Sequence, residues 1–354
     1  MKRQPPSGPP TGERRALIVG IGGQDGSYLA ELLLARGYHV AGLVRHSSAE
    51  VPERVAHLRD RLTLIRGDLL DQLSLSSAIE RARPHEIYNF AGSSFIPESW
   101  QQPALTAEST AMGVVRLLEA IRLVDPSIRF YQASSSEMFG RPEDAPQSER
   151  TRFNPRNPYA VSKVFGHMMV ERYREGFGLF AVSGILYNHE SPRRGLEFVT
   201  RKITSAAAHI ALGRADSLSL GNIAARRDWG FAGDYVHAMW LMLQQPEPCD
   251  YVVASGELHT VEDVLDVAFE QVGLEWQPYV RADEALFRPL DEALLVGDSS
   301  RVRAELGWKP TVSFEGLVRL MVDADLARLD TSQPVTPEVD WPAGSPLLAR
   351  QAAG

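Results

Sequence analysis

Short, continuous apolar runs alternate with longer helical patterns between Arg15 and Phe180 of this chain. The runs are residues 16–20 (ALIVG), 39–44 (HVAGLV), 62–67 (LTLIRG), 86–92 (EIYNFAG), 128–134 and 179–187. Strands that are apolar along their whole length need cover on both faces of a sheet, and intervening helices supply it. We therefore predict an α/β fold with a Rossmann-like, doubly wound parallel sheet, with helices near residues 25–36, 73–82, 103–124 and 157–176.

The alternation stops after Tyr187. Residues 188–228 are polar and arginine-rich, residues 251–256 have the pattern of one more strand, and residues 260–330 are mainly helical in pattern. The domains that this predicts are a dinucleotide-binding domain over 16–187, to which the strand near 251–256 returns, and a smaller, discontinuous C-terminal substrate-binding lobe over 188–330. Residues 1–15 are predicted to form a disordered tail, and residues 331–354, rich in Pro, Ala and Ser, an irregular tail.

Composition excludes several classes of protein. The 354 residues include one cysteine, Cys249, so no intrachain disulfide can form and a reducing compartment is favoured. No apolar stretch approaches the ~20 residues that span a bilayer, and the first residues lack the apolar segment of a signal peptide. The net charge of −8 argues against a nucleic-acid partner. We expect a cytoplasmic protein without a membrane association.

A glycine-rich turn, residues 20–26 (GIGGQDG), directly follows the first apolar run and opens the first predicted helix. Glycines at Gly20, Gly23 and Gly26 permit a tight turn, close approach of the backbone to a pyrophosphate and close packing of helix on strand. The N-terminus of the helix adds amide donors and a partial positive charge. The turn predicts nucleotide binding; the alternative is an ordinary glycine-rich turn.

Two residues after later strands fit the rest of a dinucleotide. Arg45 ends the second strand where NAD-preferring sites place an acidic residue, so the sequence suits a 2′-phosphate. Asp68 follows the third strand and is placed to reach the adenine end. The alternatives are a solvated arginine and a helix N-cap.

Tyr159 and Lys163 lie one turn apart on a predicted helix. A phenol with a pKa near ~10 needs about 4 kcal/mol of differential stabilisation to act as a base near neutrality, and a cation ~4 Å away supplies that order of energy. We therefore predict that Lys163 activates Tyr159 as a catalytic base. The alternative is a surface tyrosine beside a solvated lysine.

Ser135 and Glu137 follow the fifth predicted strand, at the carboxyl edge of the sheet where ligands bind. In an extended segment their side chains project to the same side. Together with an activated phenol and a redox cofactor, they provide the groups for abstracting two protons from one substrate. A purely redox enzyme does not need the glutamate; the alternative for Glu137 is a capping or ion-pairing carboxylate.

Five segments carry a resemblance to a known family: residues 23–31 (GQDGSYLAE), 131–140 (YQASSSEMFG), 188–195 (NHESPRRG), 198–202 (FVTRK) and 227–230 (RDWG). On these segments the chain, from about residue 16 to 325, resembles the extended short-chain dehydrogenase/reductases, and within them the GDP-mannose 4,6-dehydratase family. The resemblance implies a lyase that converts GDP-α-D-mannose to GDP-4-dehydro-6-deoxy-D-mannose and water. It implies tightly bound NADP, regenerated in each turnover, no metal, and a homodimer or homotetramer.

The resemblance also implies roles for individual residues. Tyr159 removes the hydroxyl proton at C4 while NADP takes the C4 hydride, Glu137 removes the C5 proton, water leaves from C6, and the hydride returns to C6. The implied catalytic residues are Ser135, Glu137, Tyr159 and Lys163. The implied cofactor residues are Gly20, Gly23, Gln24, Asp25, Gly26, Arg45, Asp68, Leu69, Ser94, Tyr159, Lys163, His189 and Arg194. The implied GDP-sugar residues are Asn188, Glu190, Arg193, Lys202, Arg227 and Arg288, whose guanidinium and ammonium groups suit a diphosphate. Any one of these arginines can instead be solvated.

Four positions depart from the usual pattern of that family: Gly22 and Ser135 replace threonines, His46 replaces a second arginine, and Asp291 replaces a glutamate. The changes at Gly22 and His46 bear on the choice between NADP and NAD. Ser135 keeps the hydroxyl but loses its methyl group, which affects rate more than reaction type.

Two competing functions use the same fold. A nucleotide-sugar 4-reductase or epimerase shares the glycine turn and the Tyr159/Lys163 pair, although a reductase would consume NADPH stoichiometrically. Residues 24–27 and 188–195 favour the dehydratase. A silent nucleotide-sensing regulator is the alternative from another class, and the intact catalytic residues argue against it.

Overall fold

The computed structural model describes residues 13–45, 47, 51–92, 94–283, 286, 294–330, 340–343, 345 and 347. Its strands are β1 (Arg15–Val19), β2 (His39–Val44), β3 (Leu62–Arg66), β4 (Glu86–Asn89), β5 (Arg129–Ser135), β6 (Ala181–Leu186), β7 (Asn188–Glu190), β8 (Leu218–Leu220), β9 (Arg226–Arg227), β10 (Trp229–Phe231), β11 (Tyr251–Val253), β12 (His259–Thr260) and β13 (Val280–Ala282).

Its α-helices are α1 (Gln24–Ala35), α2 (Gln72–Ala82), α3 (Ile96–Gln101), α4 (Pro103–Thr106), α5 (Gly113–Val124), α6 (Pro158–Phe177), α7 (Val199–Ala211), α8 (Ala232–Leu243), α9 (Val261–Gln271), α10 (Ser300–Leu306) and α11 (Phe314–Leu329). Residues Glu53–Arg61 and Ser136–Met138 form 3-10 helices, and Ala107–Met112 form a π-helical turn. The helix expected over residues 103–124 is therefore interrupted by this π-helical turn.

Seven parallel strands form the central sheet, in the order β11-β6-β5-β4-β1-β2-β3. The order reverses direction on either side of β1, as in doubly wound sheets, and the carboxyl ends of the strands share one edge. The predicted α/β fold with a parallel sheet is confirmed, because each apolar run of the first half supplies one strand.

Alternate side chains of each strand enter two separate cores, which explains why the strands are apolar along their whole length. On one face, Ile18 and Tyr88 pack with side chains of α1 and α8. On the other face, Leu17 and Ile87 pack with side chains of α2, α5 and α6. Helices therefore cover both faces of the sheet.

A third core lies outside the sheet. It consists of side chains from α7, α9 and α11 with Leu218, Leu220 and Trp229 from the short strands. Between these elements the chain returns to the central sheet, where β11 pairs with β6 in parallel. Among the described residues, no helix is both long and apolar enough to cross a membrane.

The two predicted tails fall mostly outside the described residues, and β1 begins at Arg15, inside the range expected to be disordered. Arg14 donates hydrogen bonds to the Tyr38 hydroxyl and to Gln244. Near the C-terminus, Asp340, Trp341 and Leu347 are buried. The final segment therefore contributes to a packed core at these positions, although its composition predicts irregular structure.

Candidate active site

The glycine turn connects β1 to α1 with a geometry that side chains would prevent. Gly20 has a φ of +93°, in the left-handed region. A Cβ atom on Gly26 would lie 2.4 Å from the carbonyl oxygen of Gly20, so α1 can approach β1 this closely only with glycine there. Gly23 is the N-cap of α1 and has no side chain that could accept a capping hydrogen bond. The first amides of the helix are thus left to an anionic ligand, which fits the pyrophosphate of a dinucleotide.

Gln24 and Asp25, in the second half of the glycine turn, bind the segment that contains β7. Gln24 donates from Nε2 to the carbonyl of His189 at 3.0 Å, and Ser191 donates its hydroxyl to Gln24 Oε1 at 2.8 Å. Asp25 Oδ2 lies 2.9 Å from His189 Nε2. The structure therefore brings together three of the predicted cofactor residues, Gln24, Asp25 and His189.

Asp25 and His189 form a hydrogen-bonded pair in a largely buried position. Burial by itself would raise the pKa of Asp25, but the charge and hydrogen bond of His189 bring it below its usual value. Burial would likewise lower the pKa of His189, whereas Asp25 and the Tyr187 carbonyl raise it. The imidazole also stacks on the Tyr235 ring, with the ring centroids 4.7 Å apart.

The remaining predicted cofactor residues lie after β2, β3 and β4. Arg45 is exposed after β2, and Ser94 is exposed after β4. Asp68 accepts a hydrogen bond from the Leu70 amide at 2.9 Å. The N-cap of α2 is Asp71, which accepts from two amides of that helix, so capping does not account for Asp68. Leu69 is buried and faces Gly113 of α5.

Tyr159 and Lys163 lie in the first turns of α6, beside the end of β5. Both residues are buried. The Ser135 side chain lies near the Tyr159 hydroxyl, where it favours the ionised phenol and lowers its pKa. Lys163 donates from Nζ to the carbonyl of Ala133 at 2.8 Å, and this ammonium lies 5.5 Å from the centroid of the Tyr159 ring. The structure therefore brings Ser135, Tyr159 and Lys163 together.

The electrostatics of this pair differ from the sequence-based expectation. Burial raises the pKa of Tyr159 to about 12; the Ser135 side chain lowers it, and the negative charge of Glu137 raises it further. Burial lowers the pKa of Lys163 to about 8, against the attraction of Asp25. In this arrangement the lysine does not bring the phenol near neutrality, because loss of hydration outweighs a cation that lies over the ring.

Glu137 occupies a turn and not an extended segment. The strand β5 ends at Ser135, whose side chain accepts a hydrogen bond from the Glu137 amide at 3.2 Å and caps the 3-10 helix. The expectation that Ser135 and Glu137 project from one extended segment is therefore wrong in its backbone geometry. The carboxylate is nevertheless held at the site, because Asn157 donates from Nδ2 to Glu137 Oε2 at 3.2 Å.

Asn157 is a site residue that sequence reasoning missed. Its side-chain oxygen accepts from the Ala160 amide at 2.8 Å, which makes it the N-cap of α6, and Pro158 occupies the first helical position. An Asn-Pro pair at a helix start is a recognisable N-terminal signal. The contact of its amide with Glu137 could not be read from that signal.

The predicted GDP-sugar residues are spread over β7, α7 and β9. Glu190 is buried, accepts the Thr200 hydroxyl at 2.6 Å, and lies 3.3 Å from Arg194 Nε. The Arg194 guanidinium carbon lies 3.5 Å from the centroid of the Phe198 ring. Asn188 precedes this group in β7. These side chains form one continuous group beside the Asp25–His189 pair.

Two further predicted substrate residues, Lys202 and Arg227, donate to backbone carbonyls. Lys202 donates from Nζ to the Ser219 carbonyl at 2.6 Å, and Arg227 on β9 donates to the Arg226 carbonyl at 2.7 Å. Arg288 lies outside the described residues, as do His46 and Asp291.

Arg193 is placed in a buried ion-pair network. Its guanidinium donates to Asp340 Oδ2 at 2.8 Å, to Glu31 Oε1 at 2.7 Å and to the Ser27 hydroxyl at 3.1 Å. All three nitrogens thus have protein partners, and the residue is 5% exposed. This geometry argues against the diphosphate-binding role expected for Arg193, because each of its guanidinium nitrogens already donates to a protein group.

Comparison with known proteins identifies the family. The family model described as GDP-mannose 4,6 dehydratase matches residues 17–321. The chain is 52% identical over 323 residues to GDP-mannose 4,6 dehydratase 2 of Arabidopsis thaliana, covering 88% of this chain and 86% of that protein. It is 43% identical over 345 residues to GDP-mannose 4,6 dehydratase of Homo sapiens, covering 90% and 92%. The chain belongs to the GDP-mannose 4,6-dehydratase family.

Solved structures support the same fold for this dehydratase-family chain. A putative epimerase from Burkholderia cenocepacia superposes with a TM-score of 0.78 at 26% identity, covering 89% of this chain and 98% of that one. A UDP-glucose 4-epimerase of Thermus thermophilus, solved in complex with NAD, superposes with a TM-score of 0.75 at 27% identity, covering 87% and 98%. The Rossmann-like fold class is confirmed.

We predict that Asn157→Ser lowers the turnover number by about 10- to 100-fold with little loss of stability. Serine is as good an N-cap as asparagine, but it cannot reach Glu137 with an amide, and a misplaced catalytic group costs this order of rate. The measurements are steady-state kinetics with GDP-mannose and the thermal midpoint of unfolding.

Asn157→Ala is the matched comparison. It removes both the cap and the amide, so we expect the same loss of turnover together with about 1 kcal/mol lower stability. Wild-type turnover in Asn157→Ser would show that the contact with Glu137 has no part in catalysis.

Proposed function

We propose that this protein converts GDP-α-D-mannose to GDP-4-dehydro-6-deoxy-D-mannose and water, with an NAD(P) cofactor that is regenerated in each turnover. Membership of the GDP-mannose 4,6-dehydratase family supports this reaction. The observation that carries it is the convergence of Glu137 with Tyr159 and Ser135 at the end of β5. Two proton acceptors beside one hydride acceptor are what an oxidation followed by an elimination requires.

In the first step Tyr159 accepts the proton of the C4 hydroxyl. The Ser135 hydroxyl near the phenol stabilises the phenolate that this requires. Lys163, whose pKa is about 8, is mostly protonated at neutral pH and adds positive charge near the ring. Bound NAD(P) supplies the hydride chemistry, with hydride leaving C4 and returning at C6.

Glu137 serves the second step. A ketone at C4 acidifies the C5 proton. Glu137 removes this proton and passes it to the C6 hydroxyl, which leaves as water and leaves a C5=C6 double bond. A proton taken up at C5 then balances the hydride added at C6. Asn157 keeps the carboxylate oriented through its amide. Because Glu137 is partly exposed and beside the buried phenol, its negative charge favours a protonated Tyr159 until substrate is bound.

The competing reductase or epimerase needs only the Tyr159/Lys163 pair. The hydrogen bond that positions Glu137 beside this pair favours the dehydratase, since a redox reaction at C4 has no use for a second base. A silent nucleotide-binding regulator would need neither group, so the intact set Ser135, Glu137, Tyr159 and Lys163 argues against it.

We propose NADP in preference to NAD. Arg45 is exposed at the carboxyl end of β2, and its own carbonyl is held by Arg66 at 2.7 Å. An exposed guanidinium at the end of this strand suits a 2′-phosphate better than it suits a ribose hydroxyl. We place the enzyme in the cytoplasm, where the single Cys249 stays reduced.

We further propose that the enzyme is a homodimer formed through α6. Val161, Phe165 and Met168 lie on one face of this helix and are 54%, 41% and 51% exposed. Leu105 and Met112, on the neighbouring segment before α5, are also exposed. A continuous apolar face of this kind is usually covered by a partner. The same face of α6 in a second copy of the chain provides a self-complementary covering surface. A homotetramer would need a second surface.

We predict that substituting Arg45 by alanine weakens NADP binding by about 10- to 100-fold and leaves NAD binding nearly unchanged. A charge-assisted hydrogen bond contributes energy of this order. Isothermal titration calorimetry with each dinucleotide measures the effect. Arg319→Ala, which removes an equal charge from the surface of α11, is the control. Equal dissociation constants for NAD and NADP in both the wild type and Arg45→Ala would show that Arg45 is merely solvated.

We predict that the double variant Phe165→Glu, Met168→Glu is monomeric. Two buried carboxylates without partners would oppose association of the apolar faces. Size-exclusion chromatography with light scattering measures the mass. Leu73→Glu, on the exposed face of α2, is the control and stays dimeric. A dimer that survives both charges on α6 excludes this face.

We predict that GDP-mannose deuterated at C4 gives a product labelled at C6, and that turnover in deuterated water places solvent deuterium at C5. Mass spectrometry and NMR locate the labels. In Glu137→Gln the C4 oxidation proceeds but elimination stalls, so the absorbance of reduced nicotinamide rises by one equivalent per site. Glu143→Gln, an exposed carboxylate of the same loop, is the control. A label that stays at C4, or passes to added bulk cofactor, would identify a reductase or epimerase.

A further inference from the structure

One face of α1 connects the glycine turn to the segment that contains β7. Gln24, Ser27 and Glu31 are spaced three or four residues apart, so they lie along the same side of the helix. Gln24 binds His189 and Ser191, whereas Ser27 and Glu31 bind Arg193. The helix that presents its N-terminus to the cofactor therefore also holds residues 189–193.

Arg193 is the part of this contact farthest from the glycine turn. Its guanidinium lies over the Tyr28 ring, with the guanidinium carbon 4.3 Å from the ring centroid. Two carboxylates balance its charge: Glu31 Oε1 lies 2.7 Å from Arg193 Nη2, and Asp340 Oδ2 lies 2.8 Å from Arg193 Nε. A buried guanidinium keeps its charge only while such partners remain.

Asp340 connects three parts of the chain. Besides Arg193, its carboxylate accepts Arg328 of α11, and its carbonyl accepts the Tyr28 hydroxyl at 2.7 Å. Arg328 in turn donates to the carbonyl of Pro192 at 3.0 Å. The next residue, Trp341, packs edge-on against Tyr28 and donates to Glu31. Asp340 and Trp341 thus contact both Arg193 and the side chains of α1.

We propose that Asp340 is a positioning residue for the active site: acting through Arg193, it fixes residues 188–194 against α1 in the conformation that binds the cofactor. It does not touch a ligand. Four of the predicted ligand residues, Asn188, His189, Glu190 and Arg194, belong to this segment. The inference rests on the proposed function only in the choice of substrate, because its first readout is binding of the dinucleotide.

The test is Asp340→Asn, which preserves the shape of the side chain. An amide has one acceptor oxygen and one donor nitrogen, so it cannot accept from both Arg193 and Arg328, and it removes the charge that balances them. We expect the dissociation constant for NADP to rise by about 10- to 100-fold, with a smaller change in the turnover number at saturation. Calorimetric titration with NADP and steady-state kinetics measure the two effects, and thermal unfolding is recorded in parallel.

Asp250→Asn is the matched control. Asp250 is likewise paired with a guanidinium, that of Arg174, at 2.7 Å, but it precedes β11 at the amino edge of the sheet. We expect a lower melting temperature and unchanged NADP affinity. If Asp340→Asn behaves in the same way, Asp340 only stabilises the fold and the proposal is overturned.

Two further variants test the route through Arg193. Arg193→Gln and Asp340→Asn are made singly and together, and their effects on NADP affinity are compared. Non-additive effects in the double variant support a shared pathway, whereas fully additive effects overturn it. Asp340→Glu, which keeps the negative charge that Asp340→Asn removes, is expected to retain much of the NADP affinity. Should Asp340→Asn not fold, Trp341→Phe keeps the ring packing, loses the hydrogen bond to Glu31, and is expected to weaken NADP binding; unchanged binding there would also overturn the proposal.

The outcome is separable from that of the proposed reaction. Wild-type turnover of GDP-mannose with catalytic NADP is measured first, and its absence would contradict the proposed function alone. The affinity of the variants for NADP reports on Asp340 whichever nucleotide sugar is the substrate.

Discussion

The close packing of α1 on β1 is the contact on which the rest of this site depends. Without a Cβ on Gly26, the helix approaches the carbonyl of Gly20 closely and its first amides point to the place where strand and helix meet. The same close packing of α1 on β1 fixes the direction in which the side chains of α1 point. Because that face carries Gln24, Ser27 and Glu31, the position of the whole segment from β7 to Arg193 follows from the fit of one glycine.

Burial of charged and ionisable groups is the second determinant of the chemistry. Removing Tyr159 and Lys163 from water shifts their pKa values in opposite directions: that of Tyr159 rises to about 12 and that of Lys163 falls to about 8. In the free protein this phenol stays protonated near neutral pH and is not available as a base. The positive nicotinamide ring of an oxidised cofactor would lower its pKa, which would couple proton removal to the presence of the hydride acceptor. Such coupling restricts premature deprotonation of the substrate.

Local sequence patterns predicted the features that depend on neighbouring residues. The apolar runs identified the strands, the glycine turn identified the start of α1, and the spacing of Tyr159 and Lys163 identified one helix face. The buried ion-pair network of Arg193 could not be predicted, because its partner Asp340 is distant in sequence and lies in a segment whose composition predicts irregular structure. The contact of Asn157 with Glu137 was missed for the related reason that it depends on how the loop after β5 folds back on α6.

The return of the chain to the central sheet has a consequence for how the protein is made. The strand β6 gains its second neighbour, β11, only after residues 187–250 have been synthesised. Until then its edge presents unpaired backbone groups and apolar side chains, the kind of surface that recruits other chains. During translation the first domain therefore stays incomplete at one edge, and its protection from aggregation depends on the timely synthesis of a strand encoded far downstream.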